Sequence, residues 1–364
     1  GELRFGTCLL NPPAGYQLAD IELGKRFVCD LLAGESVRIE GAAPWLEDAN
    51  LPQDQQARLA IHVGSAERTP AANELLIYPQ NVYVTCRPGA QLAERVRTAL
   101  QEAGVAVQSL ACLLASDLQM ADASLHEAAS ALGVPLRFAV LEPVADISIT
   151  VAEQPLDLSQ VGRPRGRLAV IGLGPGAAEL MVPAVKAELA RCTDVLGYET
   201  YVRMAGPFRD DQVQHCTDNR EEMQRARHAF ELAAQGRSVV VVSSGDPGVF
   251  AMAAAVIEAL HESSEPAWHQ VDLEILPGVS ASLATAAQAG APLGHDFCVM
   301  SLSDNLKPWA IIEKRLDLAS QADLALAFYN PISRSRPWQL GRALEIVALH
   351  RTPQTPVVLG RDIG

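Results

Sequence analysis

One pattern that recurs three times in the second half of the chain limits the folds available to it. Each copy is a run of β-branched or aliphatic residues that ends in glycine and proline and leads into an alanine-rich, helix-like segment. The runs are LAVIGLGPG from Leu168, VVVVSSGDPG from Val239 and LEILPGVSA from Leu273. Continuous apolar runs predict strands buried on both faces, hence a parallel sheet covered by helices. The sequence therefore predicts an α/β fold with glycine-rich turns at the carboxyl ends of strands, where open α/β sheets bind ligands.

Two stretches of the chain have the composition of separators. Residues 51–73 mix polar and small residues around a short strand, and residues 153–167 carry proline, glycine and arginine without a sustained period. Such segments are typical of linkers. We therefore predict a partial domain over 1–72, a small α/β domain over 73–145, a linker over 146–166 and the main α/β region over 167–364.

Charge and cysteine content restrict the functions that the chain can have. A formal net charge of -14 argues against a nucleic-acid partner or an anionic membrane. No apolar run approaches the roughly 20 residues that a membrane span needs. The seven cysteines are scattered and lack zinc-site spacing, so we predict a reducing compartment and no metal. With no signal-peptide pattern and with abrupt ends, the sequence suggests a cytoplasmic protein of which this is a fragment.

The glycine loops leave two ligand classes open. The loop Gly172–Ala177 satisfies the dinucleotide pattern G-x-G-x-x-G/A, and Glu199 lies near the usual position of the acidic ribose partner. Pro175, however, lacks the amide hydrogen that a pyrophosphate cradle would use. The loops at 243–248 and 277–281 have no role in simple dinucleotide binding. Three bare loops favour one compact, amphiphilic cation such as S-adenosylmethionine, with a dehydrogenase as the alternative.

Longer strings carry a family resemblance. GLGPG, SSGDPGVF and LPGVSASLA, in this order and spacing, resemble the tetrapyrrole methylase family over essentially all of 167–364. The resemblance implies a two-domain methylase fold with parallel and mixed sheets and an S-adenosylmethionine cleft between the domains. DVLGYETYV, GAPLGHDFCVMSLSD, PWAIIEKRL and FYNPISRSR resemble the precorrin-3B C17-methyltransferase branch, whose members methylate and contract the ring in cobalamin biosynthesis. This branch implies a precorrin-type tetrapyrrole substrate, with or without cobalt, and a homodimer.

The first half has a looser resemblance. DLLAGESVRI, TCRPG and LASDLQMADASLHEAASALGVPLRF resemble the central and C-terminal portions of cobalt-precorrin-5A hydrolase. That family usually has Gly-Cys-Arg-Arg-Gly where this chain reads Thr85-Cys86-Arg87-Pro88-Gly89. Cys86 is either a nucleophile or a buried small residue, and we expect the second.

The methylase resemblance also implies site residues. It places eight residues around the cofactor: Pro175, Ser244, Gly245, Asp246, Val249, Ser280, Ala281 and Asn330. The alternative for Asp246 is a turn residue before proline. C-methylation needs positioning and water exclusion more than a protein nucleophile. Ring contraction also needs proton transfers, for which we predict Glu199, where relatives carry aspartate, and His295; the alternatives are a solvated carboxylate and a loop histidine.

Cationic side chains should hold the carboxylates of such a substrate. Lys307, Arg334 and Arg336 form the best local cluster in an acidic region, and a solvated face is the alternative. We interpret EEMQRARHAF, with Arg225 and Arg227, as a salt-bridged helix instead. Rival functions are another methyltransferase of the same fold and a non-catalytic tetrapyrrole carrier.

Overall fold

The protein is described by a computed structural model over residues 8–141, 146–218, 221–305, 307–333 and 336–361. Its contacts divide the chain into two units, Gly1–Arg165 and Gly166–Gly364. In the described ranges, no helix is both long and apolar enough to cross a membrane. The same ranges contain no group of three His, Cys, Asp or Glu side chains arranged to hold a metal ion.

The first unit contains two four-stranded sheets, with strand orders β1-β4-β3-β2 and β7-β6-β5-β8. In each sheet one edge strand, β1 or β8, runs antiparallel to its neighbour, and the other pairs are parallel. Its elements are β1 (Tyr16–Leu18), α1 (Ile21–Leu32), β2 (Val37–Glu40), β3 (Leu59–Val63), β4 (Glu74–Pro79), β5 (Val82–Cys86), α2 (Leu92–Glu102), β6 (Leu110–Ser116), α3 (Ala123–Leu132), β7 (Leu136–Ala139) and β8 (Ile147–Val151).

The strand pairing corrects two predicted boundaries in this unit. The stretch 51–73 is no separator, because it contains β3, which lies between β2 and β4 and is almost wholly buried. The first sheet also includes β4, so a boundary after residue 72 falls too early. The predicted linker 146–166 contains β8, whose Val151 pairs with Val82 of β5. Linker-like composition misled here because polar connections between paired strands resemble linkers between domains.

The second unit is built on a five-stranded sheet of order β11-β10-β12-β9-β13, in which every pairing is parallel. A separate parallel pair, β14 and β15, follows. The strands are β9 (Arg167–Gly172), β10 (Asp194–Tyr198), β11 (Val213–Thr217), β12 (Ser238–Ser243), β13 (Asp272–Leu276), β14 (Phe297–Ser301) and β15 (Ala325–Tyr329). The helices are α4 (Pro183–Arg191), α5 (Glu199–Ala205), α6 (Glu222–Ala234), α7 (Met252–Glu262), α8 (Pro266–His269), α9 (Ala281–Gln288), α10 (Trp309–Gln321) and α11 (Gln339–Ala348).

The predicted double burial of the central strands is confirmed for β9 and β12. Alternate residues of β12 point to opposite faces: Val239 and Val241 pack with the cluster under α6 and α7, and Val240 and Val242 pack with the cluster under α4 and α5. The prediction is wrong for β13, which is an edge strand and leaves Ile275 41% exposed. A parallel sheet nevertheless places all its carboxyl ends, and therefore all three glycine loops, at one edge.

The helix α6 differs from the predicted salt-bridged helix. Arg225 is only 3% exposed, and its guanidinium donates to the Thr217 hydroxyl at 2.6 Å and to the Asp218 carbonyl at 2.8 Å. Burial lowers the pKa of this guanidinium. Arg227 does form an ion pair, 3.6 Å from Glu262 on α7. Arg225 thus connects α6 to the end of β11 inside the protein. The charged residues around it in the sequence gave no indication of this burial.

Candidate functional site

The first two glycine loops are joined by their backbones. The N–H of Gly245 donates to the Gly174 carbonyl at 2.7 Å, and the N–H of Gly174 donates to the Gly245 carbonyl at 3.2 Å. The N–H of Leu173 donates to the Ser243 carbonyl at 2.8 Å. These amides are therefore engaged and cannot cradle a pyrophosphate. The helix α4 also begins only at Pro183, and the glycines are followed directly by no more than a three-residue 3-10 turn, Ala178–Leu180. Both features argue against the dinucleotide alternative.

The Asp246 carboxylate connects the second loop to the third. Its Oδ1 accepts from the N–H of Gly248 at 2.8 Å, and its Oδ2 accepts from the N–H of Gly278 at 3.1 Å. Asp246 thus acts as the turn residue that the sequence left as an alternative, and in addition it holds two loops together. A carboxylate has about four acceptor positions, so both oxygens retain capacity for a further donor.

The glycines of these loops have two different structural roles. A Cβ at Gly172 would lie 2.3 Å from the Gly245 oxygen, and a Cβ at Gly278 would lie 2.1 Å from the same oxygen, so both glycines allow the loops to touch. At Gly245 a Cβ would meet nothing nearer than 3.9 Å, the distance to the Ser280 Cα. Its φ of +68° still favours glycine. Gly245, unlike the other two glycines, therefore has room beside it for a methyl-sized group, next to Ser280.

The third loop is also fixed by β15. The Tyr329 hydroxyl accepts from the N–H of Ser282 at 2.9 Å and donates to the Ser282 hydroxyl at 3.0 Å. This tyrosine supplies an acceptor in the first turn of α9, where Ser280 occupies the N-cap position but makes no side-chain capping bond. The Ser280 hydroxyl, at a residue that is 7% exposed, is thereby left for another role.

An aromatic residue, Phe250, packs beside Tyr329. Phe250, at the end of the second loop, has φ of +53° and is 51% exposed. Its ring centroid lies 5.6 Å from that of Tyr329, with 56° between the ring planes. Asn330 follows with φ of +50°, and its amide donates to the Ser301 hydroxyl at 3.0 Å. The second loop, the third loop and the end of β15 therefore meet at the Phe250 and Tyr329 rings.

Seven of the eight predicted cofactor residues lie on these connected segments beyond the first loop, and Pro175 directly follows Gly174 of that loop. Ser244, Gly245, Asp246 and Val249 belong to the second loop. Ser280 and Ala281 open α9, and Asn330 adjoins Tyr329. Their role as cofactor ligands stays a prediction.

Glu199 lies at the same edge of the sheet. It is the first residue of α5, directly after β10, and β10 is paired with β12 so that Leu196 faces Val241. Its side chain is 58% exposed and ion-paired with Arg203 one turn later. The position suits the predicted site, whereas the exposure matches the alternative of a solvated carboxylate.

His295 lies apart from the connected loops, and its catalytic role stays a prediction. It is an exposed loop residue before the amino end of β14, whereas Ser301 and Asn330 lie at the carboxyl ends of β14 and β15. Roughly 15 Å of strand, at about 3.3 Å per residue, separates the two ends. The prediction came from its position in the sequence LGHDF, which the fold places at the amino end of β14.

Two of the three predicted substrate cations, Lys307 and Arg336, lie near the segment after β14. Lys307 donates to the Ser303 carbonyl at 3.4 Å, and burial, with help from the nearby Arg315, lowers the pKa of its ammonium group. Arg336 is ion-paired with Asp304 and is therefore already neutralised. Arg334 lies outside the described residues.

The sequence interpretation missed Tyr329, Ser282 and Phe250. Tyr329 and Phe250 stand inside the quoted strings FYNPISRSR and SSGDPGVF, which was the available indication. A left-handed backbone at phenylalanine has no sequence signature, because bulky residues rarely adopt it.

Cys86 in the first unit is buried, as expected. It is 2% exposed, and burial raises the pKa of its thiol to about 11. A thiol of this kind is neutral near pH 7 and a poor nucleophile. The TCRPG string therefore contributes to the core of the second sheet.

Comparisons with known proteins concern mainly the second unit. The family described as Tetrapyrrole (Corrin/Porphyrin) Methylases matches residues 167–364. The cobalamin biosynthesis protein CobIJ of Mycobacterium tuberculosis (strain ATCC 25618 / H37Rv) is 48% identical over 227 residues, 61% of this chain and 44% of CobIJ. A precorrin-3B C(17)-methyltransferase of Sinorhizobium sp is 50% identical over 199 residues, 55% of this chain and 78% of that protein. The crystal structure of the methyltransferase CobJ has 52% sequence identity and a TM-score of 0.50, covering 53% of this chain and 84% of that chain.

The chain spans less than half the length of CobIJ, at 44%. The family match itself covers more than half of the 364 residues and contains all three glycine loops. Together with the parallel sheet and the loops joined at its carboxyl edge, this match assigns the chain to the tetrapyrrole methylase family.

Proposed function

We propose that the chain catalyses S-adenosylmethionine-dependent C-methylation of a precorrin-3B-type tetrapyrrole at C17, with ring contraction, in cobalamin biosynthesis. The observation that carries this proposal is the set of three interlocked glycine loops, with room for a methyl-sized group beside Gly245. The similarity to a precorrin-3B C(17)-methyltransferase supports the choice of substrate class. We further propose that the protein acts in the cytoplasm as a homodimer, and that cobalt in the macrocycle is compatible with the site.

The residues around Gly245 fit a compact, amphiphilic cofactor. The backbone at Gly245 allows close approach, the Ser280 hydroxyl is not used for capping, and the Asp246 oxygens retain acceptor positions. S-adenosylmethionine, when bound, supplies an electrophilic methyl group. We propose that it is held by the eight residues predicted above: Pro175, Ser244, Gly245, Asp246, Val249, Ser280, Ala281 and Asn330.

The chain's own residues position the substrate and exclude water. Carbon methylation is a displacement that depends on alignment more than on a protein nucleophile. Lys307 and Arg336 lie near the carboxyl end of β14, where substrate carboxylates would compete with Asp304 for Arg336. Arg334 stays a proposed third cation. Glu199, at the end of β10, is the proposed acid or base for ring contraction.

The region resembling a cobalt-precorrin-5A hydrolase is proposed to be a second module of the same protein. It forms its own compact unit, Gly1–Arg165. Its buried Cys86 gives no support for thiolate chemistry. We therefore assign the methyltransferase activity to the second unit alone.

Calorimetry with S-adenosylhomocysteine, S-adenosylmethionine and NAD tests the cofactor assignment. We expect saturable binding of the two sulfur compounds and none of NAD. Ser280→Trp should abolish binding, because it places bulk in the open space beside Gly245, whereas Ala289→Trp at the exposed far end of α9 should not. Binding of NAD alone would restore the dehydrogenase alternative.

Mass spectrometry of the product from a tetrapyrrole incubation tests the reaction. The expected product carries one additional methyl group, and C17 should be its position. Methylation at another carbon would favour a different methyltransferase of the same fold. Tetrapyrrole binding without cofactor binding would favour the carrier.

A further inference from the structure

Phe250 holds an unfavourable backbone conformation at the candidate site. Its φ of +53° lies in the left-handed region, which a side chain with a Cβ disfavours. Glycine would adopt the conformation without steric strain. Backbone strain that persists in a folded protein is concentrated at functional positions. A large aromatic residue at this position therefore indicates a functional role that offsets the backbone strain.

The side chain of Phe250 is both exposed and fixed. About half of the residue, 51%, is accessible to solvent, and its ring contacts that of Tyr329 at 5.6 Å between centroids. Tyr329 is held in turn, because its hydroxyl bonds both the backbone and the side chain of Ser282. Phe250 thus presents an apolar face that the described part of the chain leaves about half accessible.

The surroundings of this face indicate its ligand. Val249 and Asn330, two proposed cofactor residues, directly precede Phe250 and follow Tyr329. Lys307 and Arg336, the latter paired with Asp304, lie near the carboxyl end of the adjacent strand β14, where a substrate carboxylate could take the place of Asp304. An apolar face next to cations suits a broad, flat molecule with an apolar centre and carboxylates at its rim. The bare space beside Gly245 is, by contrast, the compact part of the site.

We infer that Phe250, supported by Tyr329, is the residue against which the macrocycle of the tetrapyrrole lies, and that this contact orients the substrate towards the methyl donor. The inference rests on the proposed function. It assigns Phe250 to substrate and not to the adenine ring of the cofactor, because its partner Tyr329 is paired with Ser301 at the end of β14, on the side of Lys307 and Arg336.

The test uses Phe250→Gly and Phe250→Leu in the full chain, with uroporphyrin III as a stable carboxylated tetrapyrrole and S-adenosylhomocysteine as the cofactor probe. Fluorescence quenching gives the tetrapyrrole dissociation constant, calorimetry gives that of the cofactor probe, and urea denaturation gives the unfolding midpoint. Ala291→Gly is the control for relief of strain, since its φ is also positive at +59°. Phe297→Ala is the control for loss of an exposed aromatic ring, since Phe297 is 41% exposed at the opposite end of β14.

We expect Phe250→Gly to raise the tetrapyrrole dissociation constant about tenfold, as for loss of one aromatic contact. Phe250→Leu should lie between Phe250→Gly and wild type. The cofactor constant should change less than about twofold, and the midpoint should not fall, because glycine relieves the backbone. Both controls should bind both probes as wild type does.

Other outcomes separate the inference from the proposed function. Unchanged tetrapyrrole binding in Phe250→Gly would overturn the inference alone, and so would weaker binding of the cofactor probe alone, which would place adenine on the ring. A lowered midpoint with loss of both ligands would make Phe250 a structural residue. Wild-type protein that binds the cofactor probe and no tetrapyrrole would overturn the proposed substrate, and the inference with it.

Discussion

Replacing Gly278 with alanine should separate the three glycine loops. The added Cβ would lie 2.1 Å from the Gly245 oxygen and 2.7 Å from the Gly172 oxygen, whereas real contacts of this kind are at least 3.0 Å. Both obstacles are backbone atoms, so no side chain can rotate away. Overpacking of this kind costs about 1 to 3 kcal/mol. Loss of the bond from the Gly278 N–H to Asp246 would add about 1.5 to 3 kcal/mol, because its acceptor is charged.

The expected result is a loss of about 2.5 to 6 kcal/mol in the free energy of unfolding of the second unit. Urea denaturation followed by tryptophan fluorescence measures it, since Trp268, Trp309 and Trp338 all lie in that unit. Affinity for S-adenosylhomocysteine should fall at least about tenfold, because the three glycine loops that form its proposed binding site no longer meet. Gly294→Ala, where an added Cβ meets nothing within 4 Å, should change stability by less than about 0.5 kcal/mol. A Gly278→Ala protein that matches this control in both measurements would refute the loop contacts.

Two further predictions concern other parts of the chain. Burial opposes ionisation of Glu188, but hydrogen bonds from Arg167 and Arg191 outweigh the effect of burial and hold the pKa of Glu188 below the ordinary 4.5. The ionised carboxylate therefore stabilises the fold above pH 4.5, and this stabilisation is lost as pH falls through the lower folded-state pKa. Glu188→Gln should therefore lower the free energy of unfolding by about 3 kcal/mol at neutral pH and flatten its decline below about pH 4.5, as measured by urea denaturation at several pH values; parallel curves would contradict this. Iodoacetamide should modify exposed Cys216 in the native protein and spare buried Cys86, and equal rates in peptide mapping would be inconsistent with the described burial.

The apolar runs predicted the central strands because their information is local. In β9 and β12 every side chain beyond the first meets a packed face, so an unbroken apolar string suffices. The same argument failed for β13, although its sequence was also interpreted as an apolar strand. Whether a strand is central or at an edge depends on which strands pair with it, and β13 pairs only with β9 among the described strands.

The arrangement of the site was less accessible from sequence. Glycines, prolines and Asp246 marked the loops, but the bond between Asp246 and Gly278 joins residues 32 positions apart. The separation of His295 from the carboxyl edge depends on the direction of β14. The strained backbone of Phe250 depends on neighbours supplied by the fold. Each of these is a property of tertiary structure that no short string contains.

The interlocked loops have a consequence for the rate at which a ligand binds. Hydrogen bonds between groups of the chain itself join Gly174 to Gly245 and Gly278 to Asp246. A site that is assembled in advance requires little ordering when it is filled. Cofactor association should therefore proceed in one second-order step whose observed rate rises linearly with concentration. Differences in affinity among variants that keep these bonds should then appear in the dissociation rate, because encounter with the preformed loops is the same for all of them.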